Sequence, residues 1–303
     1  MSQLYDLIVI GTGITGLAAA RQAAQNGLST ATIEAMFFGG LVTNINVLDG
    51  EIGGSGSDLA AGMMMEVARL GVKNITASAT AIARQEDVLV VNSDAGEHRA
   101  RALVIASGAR LKRMGIPGEA EFEENGVSQC ADCDGPFYKN KDVVVVGGGD
   151  SALQEALVLA EFAQQVHLIH RGERFDARKH FVDRITARTN ISVHWRTRVE
   201  AVLGDQCVSG VRMRDVDDNQ MSEIACSGFF AYVGLTPASE FVPNAVLRDP
   251  GGFLLTDADL RTAMPGVFAA GAVRAGYGGL LTHALAEGIA AAKSAGALLG
   301  AIN

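Results

Sequence analysis

Apolar residues in this 303-residue chain fall into short runs separated by glycine-rich turns. Leu4–Ile10 is a run of strand length, and Gly11-Thr12-Gly13-Ile14-Thr15-Gly16 follows it. Residues 17–26, rich in Ala and Gln, predict a helix that Gly27 stops. Residues 29–33 predict a second strand running into Glu34. The same order returns in the middle of the chain. Asp142–Val146 is a β-branched run of the kind buried in parallel sheets. Gly147-Gly148-Gly149-Asp150-Ser151-Ala152 comes next, then a helical pattern over 153–163 and a strand pattern over Gln165–Ile169. A long Ala-rich helix is predicted over 280–299.

Two starts of the form strand, glycine loop, helix, strand predict an α/β protein with two doubly wound, Rossmann-like nucleotide-binding domains. Residues 35–110 hold too few elements to cover the first sheet, so the C-terminal segment is expected to return to it. The second domain is then inserted in the first: 1–112 and 242–303 form one domain, and 113–241 form the insert.

Composition narrows the functional classes. A net charge of −9 argues against nucleic acid, which is bound by neutralising phosphates with basic groups. No apolar run reaches the roughly 20 residues of a membrane span. The first residues carry Asp6 and lack the basic start of a secretion signal. Four cysteines without such a signal fit a reducing, cytoplasmic setting. The 36 glycines lie between strand and helix patterns, where backbone must turn tightly or approach a phosphate.

In the first loop Gly11 permits the turn, Gly13 lets the backbone approach a pyrophosphate, and Gly16 lets helix pack on strand. The helix start favours the negative charge. Glu34, at the end of the next strand, is placed to accept hydrogen bonds from a ribose hydroxyl. FAD and NAD share this fingerprint. Its place at the N-terminus, a second loop downstream, and the Gly39-Gly40-Leu41 turn assign FAD to it. The second loop, with Gly147, Gly149, Asp150, Ser151 and Ala152, is expected to hold a nicotinamide nucleotide. Its second strand ends in His170-Arg171 where an acid would select an unphosphorylated ribose, and Arg174 and Arg178 follow. That pattern favours NADPH over NADH.

Cys130 and Cys133 form a CxxC pair, which reads as redox-active beside such units. At a helix start the backbone dipole would stabilise a thiolate. Asp134 is a candidate acid–base for the leaving sulfur. Structural zinc needs four ligands, and Cys207 and Cys226 are single and distant, so no metal is expected. Both are expected to be core thiols in apolar strands.

The stretch Gly126-Val127-Ser128-Gln129-Cys130-Ala131-Asp132-Cys133-Asp134-Gly135-Pro136-Phe137-Tyr138, with Gly147–Ala152 after it, resembles the bacterial-type, low-molecular-weight thioredoxin reductases. The resemblance runs through Ser107-Gly108, Gly234 with Pro237, and 266–271, and spans essentially the whole chain. It implies a homodimer in which reduced nucleotide, FAD and the cysteine pair pass electrons to a thioredoxin-like protein. By position it implies that Cys133 faces the flavin and Cys130 attacks the partner, with Asp134 as the acid. It also implies rotation of the insert about hinges near 113–117 and 240–243. Two departures stand out. Gly172 and Asp176 replace two of the family's phosphate-binding arginines, each such contact being worth roughly 1.5–3 kcal/mol. After Gly271 the family has an Asp toward the flavin's ribityl chain, and this chain has Ala272, leaving Arg274 or backbone to compensate. NADH or a ferredoxin-like donor therefore stay open. So do a dithiol oxidase that passes electrons to oxygen and a flavin-bearing redox sensor.

Overall fold

The computed structural model describes residues 3–48 and 53–300. The chain forms two compact units, one of residues 1–110 with 236–303 and one of Leu111–Leu235.

In the first unit a seven-stranded sheet has Leu4–Ile10 at its centre, parallel to Thr30–Glu34 on one side and Gly96–Ile105 on the other. Lys73–Thr76 extends the parallel part, and Ala79–Gln85 with Val88–Ser93 adds an antiparallel edge. The central strand alternates its burial partners. Leu7 and Val9 pack with the helices, and Ile8 and Ile10 pack with Ile33, Leu89 and Leu103 on the opposite face. Both faces are covered, which is why the run is apolar throughout. The C-terminal segment closes this unit: Val267–Ala269 pairs with Gly96–Ile105, and the helix Leu281–Leu298 packs on the helix Ile14–Gln25.

The inserted unit has a parallel sheet in the order Ile191–His194, Gln165–Ile169, Asp142–Val146, Gly228–Ala231, Val127–Ser128. A three-stranded antiparallel sheet, Thr197–Gly204, Val208–Asp215 and Met221–Ala225, covers one face of it. Two Rossmann-like halves with the second inside the first is the fold class expected from the two glycine loops.

Three local differences have simple causes. The helices begin at Ile14 and Asp150, earlier than the periodicity indicates, because the third position of each motif, Gly16 or Ala152, already lies inside the helix. The chain crosses between units after Arg110 and after Leu235, both earlier than the expected 112 and 241. The crossing strands Ala109–Leu111 and Leu235–Pro237 pair with each other, and Val242 and Val246 already belong to the first unit's core. Cys207 is exposed, not a core thiol, since it sits in the turn between two antiparallel strands. Cys226 is buried, and burial pushes its thiol up to about 12.

Candidate functional site

In the first unit the glycine loop is built by backbone contact. A Cβ on Gly16 would lie 1.9 Å from the Gly11 carbonyl oxygen, and one on Gly11, at φ +100°, would lie 2.4 Å from that of Ala106. A side chain at Gly16 would push the helix off the strand, and one at Gly11 would collide with the backbone that follows the neighbouring strand Gly96–Ile105. Gly13 precedes the helix in extended conformation, and no side chain caps the helix start. The first N–H groups there are left to face an anion. Gly39 donates its N–H to the Thr12 carbonyl at 2.7 Å, which brings the Gly39-Gly40-Leu41 turn beside Gly13.

Glu34 is half-buried and held by its neighbours. One carboxylate oxygen accepts the N–H and hydroxyl of Thr12 at 2.9 and 3.2 Å, and the other accepts the N–H groups of Ala35 and Met36. These bonds aim the carboxylate over a cleft of about 500 Å³ bordered by Gly11, Ser107, Arg110 and Ala238. The cleft lies at the carboxyl ends of the parallel strands, where doubly wound sheets take nucleotides. Gly108 follows Ser107 at φ +71°. The cradle that a Cβ would fill, the uncapped helix start and the fixed acid together fit an adenine dinucleotide.

The Gly271–Ala272 turn offers a flavin no polar side chain. Ala272 carries no donor or acceptor on its side chain. Arg274 is committed elsewhere: it forms a mostly buried ion pair with Glu287 at 2.7 Å and donates to the Ala275 carbonyl. Glu287 also accepts the Gly271 N–H at 2.7 Å. Arg274 therefore does not stand in for the missing acid.

In the inserted unit Gly149 precedes the helix Asp150–Leu159, again without a side-chain cap, and Ala152 is fully buried beneath the loop. Ser151 is exposed. The His170 ring lies over Gly148 and against Phe175 and Trp195. Arg178 is engaged by Asp150, through its backbone N–H at 2.7 Å and its Nε at 2.6 Å. Arg171 and Arg174 are exposed and make no ion pair among the described residues. Asp176 donates its backbone N–H to the Gly148 carbonyl and is thereby set beside the loop. Of the four basic candidates His170, Arg171, Arg174 and Arg178, the first three have no acidic partner among the described residues.

Cys130 and Cys133 are joined by a disulphide with Cα atoms 5.3 Å apart. Cys130 is the residue before the short helix Ala131–Asp134, and Cys133 lies within it and is exposed. The Cys130 N–H donates to the Ser128 hydroxyl, and the Cys133 N–H donates to the Cys130 sulfur at 3.1 Å. Asp134 follows directly, at the rim of a pocket of about 200 Å³ that Ser128 and Gln129 also border. Gly135 then lets the chain pass Phe162, whose ring would lie 2.8 Å from a Cβ there.

Beneath this helix lies a residue that motif reading passes over. Glu155, on the helix that opens at the second glycine loop, accepts the Ala131 N–H at 3.0 Å and the Tyr232 hydroxyl at 3.1 Å. Burial pushes its carboxyl up to about 7, Asp132 adds to the rise, and the two hydrogen bonds oppose it. Burial and the neighbouring Glu155 raise the Tyr232 phenol in turn. The signal for Glu155 was a charged residue between Ala152 and Leu159 on a helix face otherwise apolar.

Among the described residues no cluster of three His, Cys, Asp or Glu is arranged to hold a metal ion, and no helix is long and apolar enough to cross a membrane. A family profile described as pyridine nucleotide-disulphide oxidoreductase matches residues 5–288. The thioredoxin reductase of Treponema pallidum is 37% identical over 303 residues, covering 99% of this chain and 98% of its own. Among solved structures, the thioredoxin reductase of Lactococcus lactis superposes with a TM-score of 0.94 at 33% identity, over 98% of this chain and 100% of that one. That of T. acidophilum gives a TM-score of 0.93 at 29% identity, over 98% and 99%.

Proposed function

The chain belongs to the thioredoxin reductase family of pyridine nucleotide-disulphide oxidoreductases, and from that premise we propose that it reduces the disulphide of a thioredoxin-like protein at the expense of a reduced nicotinamide nucleotide. The observation that carries the reading is the Cys130–Cys133 disulphide at a helix start, on the same unit as the second glycine loop. Membership of the family favours this direction over oxidation of a small dithiol by oxygen.

Gly11, Gly13, Gly16 and Glu34, with Gly39, Gly40, Leu41, Gly108, Gly271 and Ala272 at the margins, would hold FAD. When bound, FAD supplies two-electron chemistry between a nicotinamide and a disulphide. Gly147, Gly149, Asp150, Ser151 and Ala152 would hold the nucleotide, and His170, Arg171 and Arg174 would meet a 2′-phosphate. NADPH is thus the favoured donor, with fewer cationic contacts than three arginines would give. Arg178 contributes through Asp150, by fixing the start of the helix.

The cysteines carry the exchange. Once the Cys130–Cys133 bond is reduced, the Cys130 sulfur attacks one sulfur of the partner disulphide and the other partner sulfur leaves. Cys133 then attacks Cys130, which re-forms the internal bond and releases the second partner thiol. Asp134 holds the proton that the leaving sulfur needs. The resemblance also supports a homodimer.

The test is anaerobic stopped-flow reduction of the flavin-loaded protein with NADPH and with NADH, followed by turnover with oxidised thioredoxin. Bleaching with a nucleotide and thioredoxin-dependent turnover are expected. Bleaching with neither nucleotide would overturn the donor, and turnover retained in the C130S/C133S double variant would overturn the route. Light scattering coupled to size exclusion reads the oligomer.

A further inference from the structure

Glu155 has no role in the chemistry assigned so far, yet it touches the cysteine helix at its first residue. Its carboxylate takes the Ala131 N–H, one bond along the chain from Cys130, and is held from behind by the Tyr232 hydroxyl. Among the described residues no cation lies within ion-pair distance of it. The neighbouring elements give it little else. The strands beneath present Val143, Val145, Val166 and Leu168. The helix Lys179–Thr186 packs by Phe181 and Ile185, leaving Lys179, His180, Asp183 and Arg184 exposed. The turn after the cysteine helix contributes the buried Tyr138, and the cysteine helix itself contributes Asp132, Asp134 and the two sulfurs.

We propose that Glu155 is a positioning residue for the disulphide, fixing the start of the cysteine helix through Ala131 and taking up a proton when the Cys130–Cys133 bond is reduced. The proposal rests on the redox reading of that pair. Reduction breaks the Sγ–Sγ bond and leaves two electrons on the sulfurs. In the thiol–thiolate form one proton goes to a sulfur. The remaining negative charge then sits beside a carboxylate that has no cation to share, and a second proton neutralises the carboxylate. Two electrons and two protons enter, and the local charge does not change. Because burial has already raised the oxidised-state carboxyl to about 7, this uptake operates above neutrality.

The test is equilibration of the flavin-loaded wild type, Glu155→Gln and Tyr232→Phe with dithiothreitol redox buffers from pH 6 to 9. Acid quenching, alkylation and intact mass read the thiol content. Dithiothreitol releases its own protons identically in each case, so the ratio of two exchange constants isolates Glu155. Toward pH 6 the carboxyl is mostly protonated in both redox states, and the wild-type to E155Q ratio levels off. Above it the oxidised wild type has a proton to regain, and the ratio falls by about three- to tenfold by pH 9. In Y232F the carboxylate loses a donor, and the onset of the fall moves to higher pH. A ratio independent of pH for E155Q, or for Y232F should E155Q not fold, would overturn the role of Glu155 and leave the disulphide reading intact. A wild-type disulphide that never exchanges with dithiothreitol would sink both.

Discussion

Arg178 donates its backbone N–H and its Nε to the carboxylate of Asp150, closing the segment after the second nucleotide strand onto the helix that begins at the second glycine loop. The pair removes one of the cations that the sequence offers to a 2′-phosphate. Arg171 and Arg174, exposed and without an ion pair among the described residues, stay candidates for that role. Arg174→Ala should lower kcat/KM for NADPH about tenfold or more and leave NADH nearly unchanged, since a phosphate contact is charge-assisted. Arg178→Ala, the loss of an exposed pair, should change the NADPH-to-NADH ratio by less than about threefold. Steady-state kinetics with both nucleotides checks the two together, and equal ratios in both variants and wild type would refute the assignment.

The Arg274–Glu287 pair is a second place where the charge is already spoken for. The side chains are 18% and 14% exposed, and Glu287 also holds the Gly271 N–H. Glu287→Ala leaves a mostly buried guanidinium uncompensated and should cost about 3 kcal/mol in urea unfolding. It should also loosen the Gly271–Ala272 turn, read as flavin released during gel filtration.

Two glycines separate cofactor binding from stability. A Cβ at Gly16 meets the Gly11 carbonyl at 1.9 Å, so Gly16→Ala should yield protein with well under stoichiometric flavin, measured as the ratio of visible to ultraviolet absorbance. A Cβ at Gly288 meets the Thr15 carbonyl at 2.2 Å, between the two helices of the first unit. Gly288→Ala should overpack that contact and cost about 1–3 kcal/mol, seen as a lowered Tm. Normal flavin content in G16A would contradict the first expectation.

Glu155 also predicts a pH dependence of stability. Its carboxyl ionises near 4.5 as a free side chain and at about 7 in the folded chain. Between those values the native state binds more protons than the unfolded one, so unfolding free energy falls as pH rises. The contribution is fully present below about 4.5 and lost through about 7, and it amounts to roughly 3 kcal/mol at most. Glu155→Gln keeps the hydrogen-bonding shape without the ionisation. Urea midpoints at pH 5 to 8 should therefore show the variant gaining on the wild type as pH rises. A constant difference across that range would show that the carboxyl does not titrate there.

Much of the molecule was legible in the chain because its signals are local. The strands Leu4–Ile10, Asp142–Val146 and Gln165–Ile169 have the bounds their apolar runs indicate. Covered sheets demand unbroken apolar residues, and glycine ends them. The cysteine pair was legible because three residues of separation bring two sulfurs together across one turn. Cys207 is the exception, because a short apolar run looks alike in a core strand and at a turn beside one.

Taken alone, the order of residues determined the two glycine loops and the sulfur couple, which depend on near neighbours, and the insertion of one doubly wound unit in the other, which followed from residues 35–110 holding too few elements to cover the first sheet. Tertiary structure decided which charges are free. Asp150 claims Arg178 across 28 residues, and Glu155 meets Ala131 across 24. Glu287 takes both Arg274 and the Gly271 N–H. Electrostatic pairing and desolvation depend on distance in space and on access to water, and neither is written in the spacing of residues along a chain.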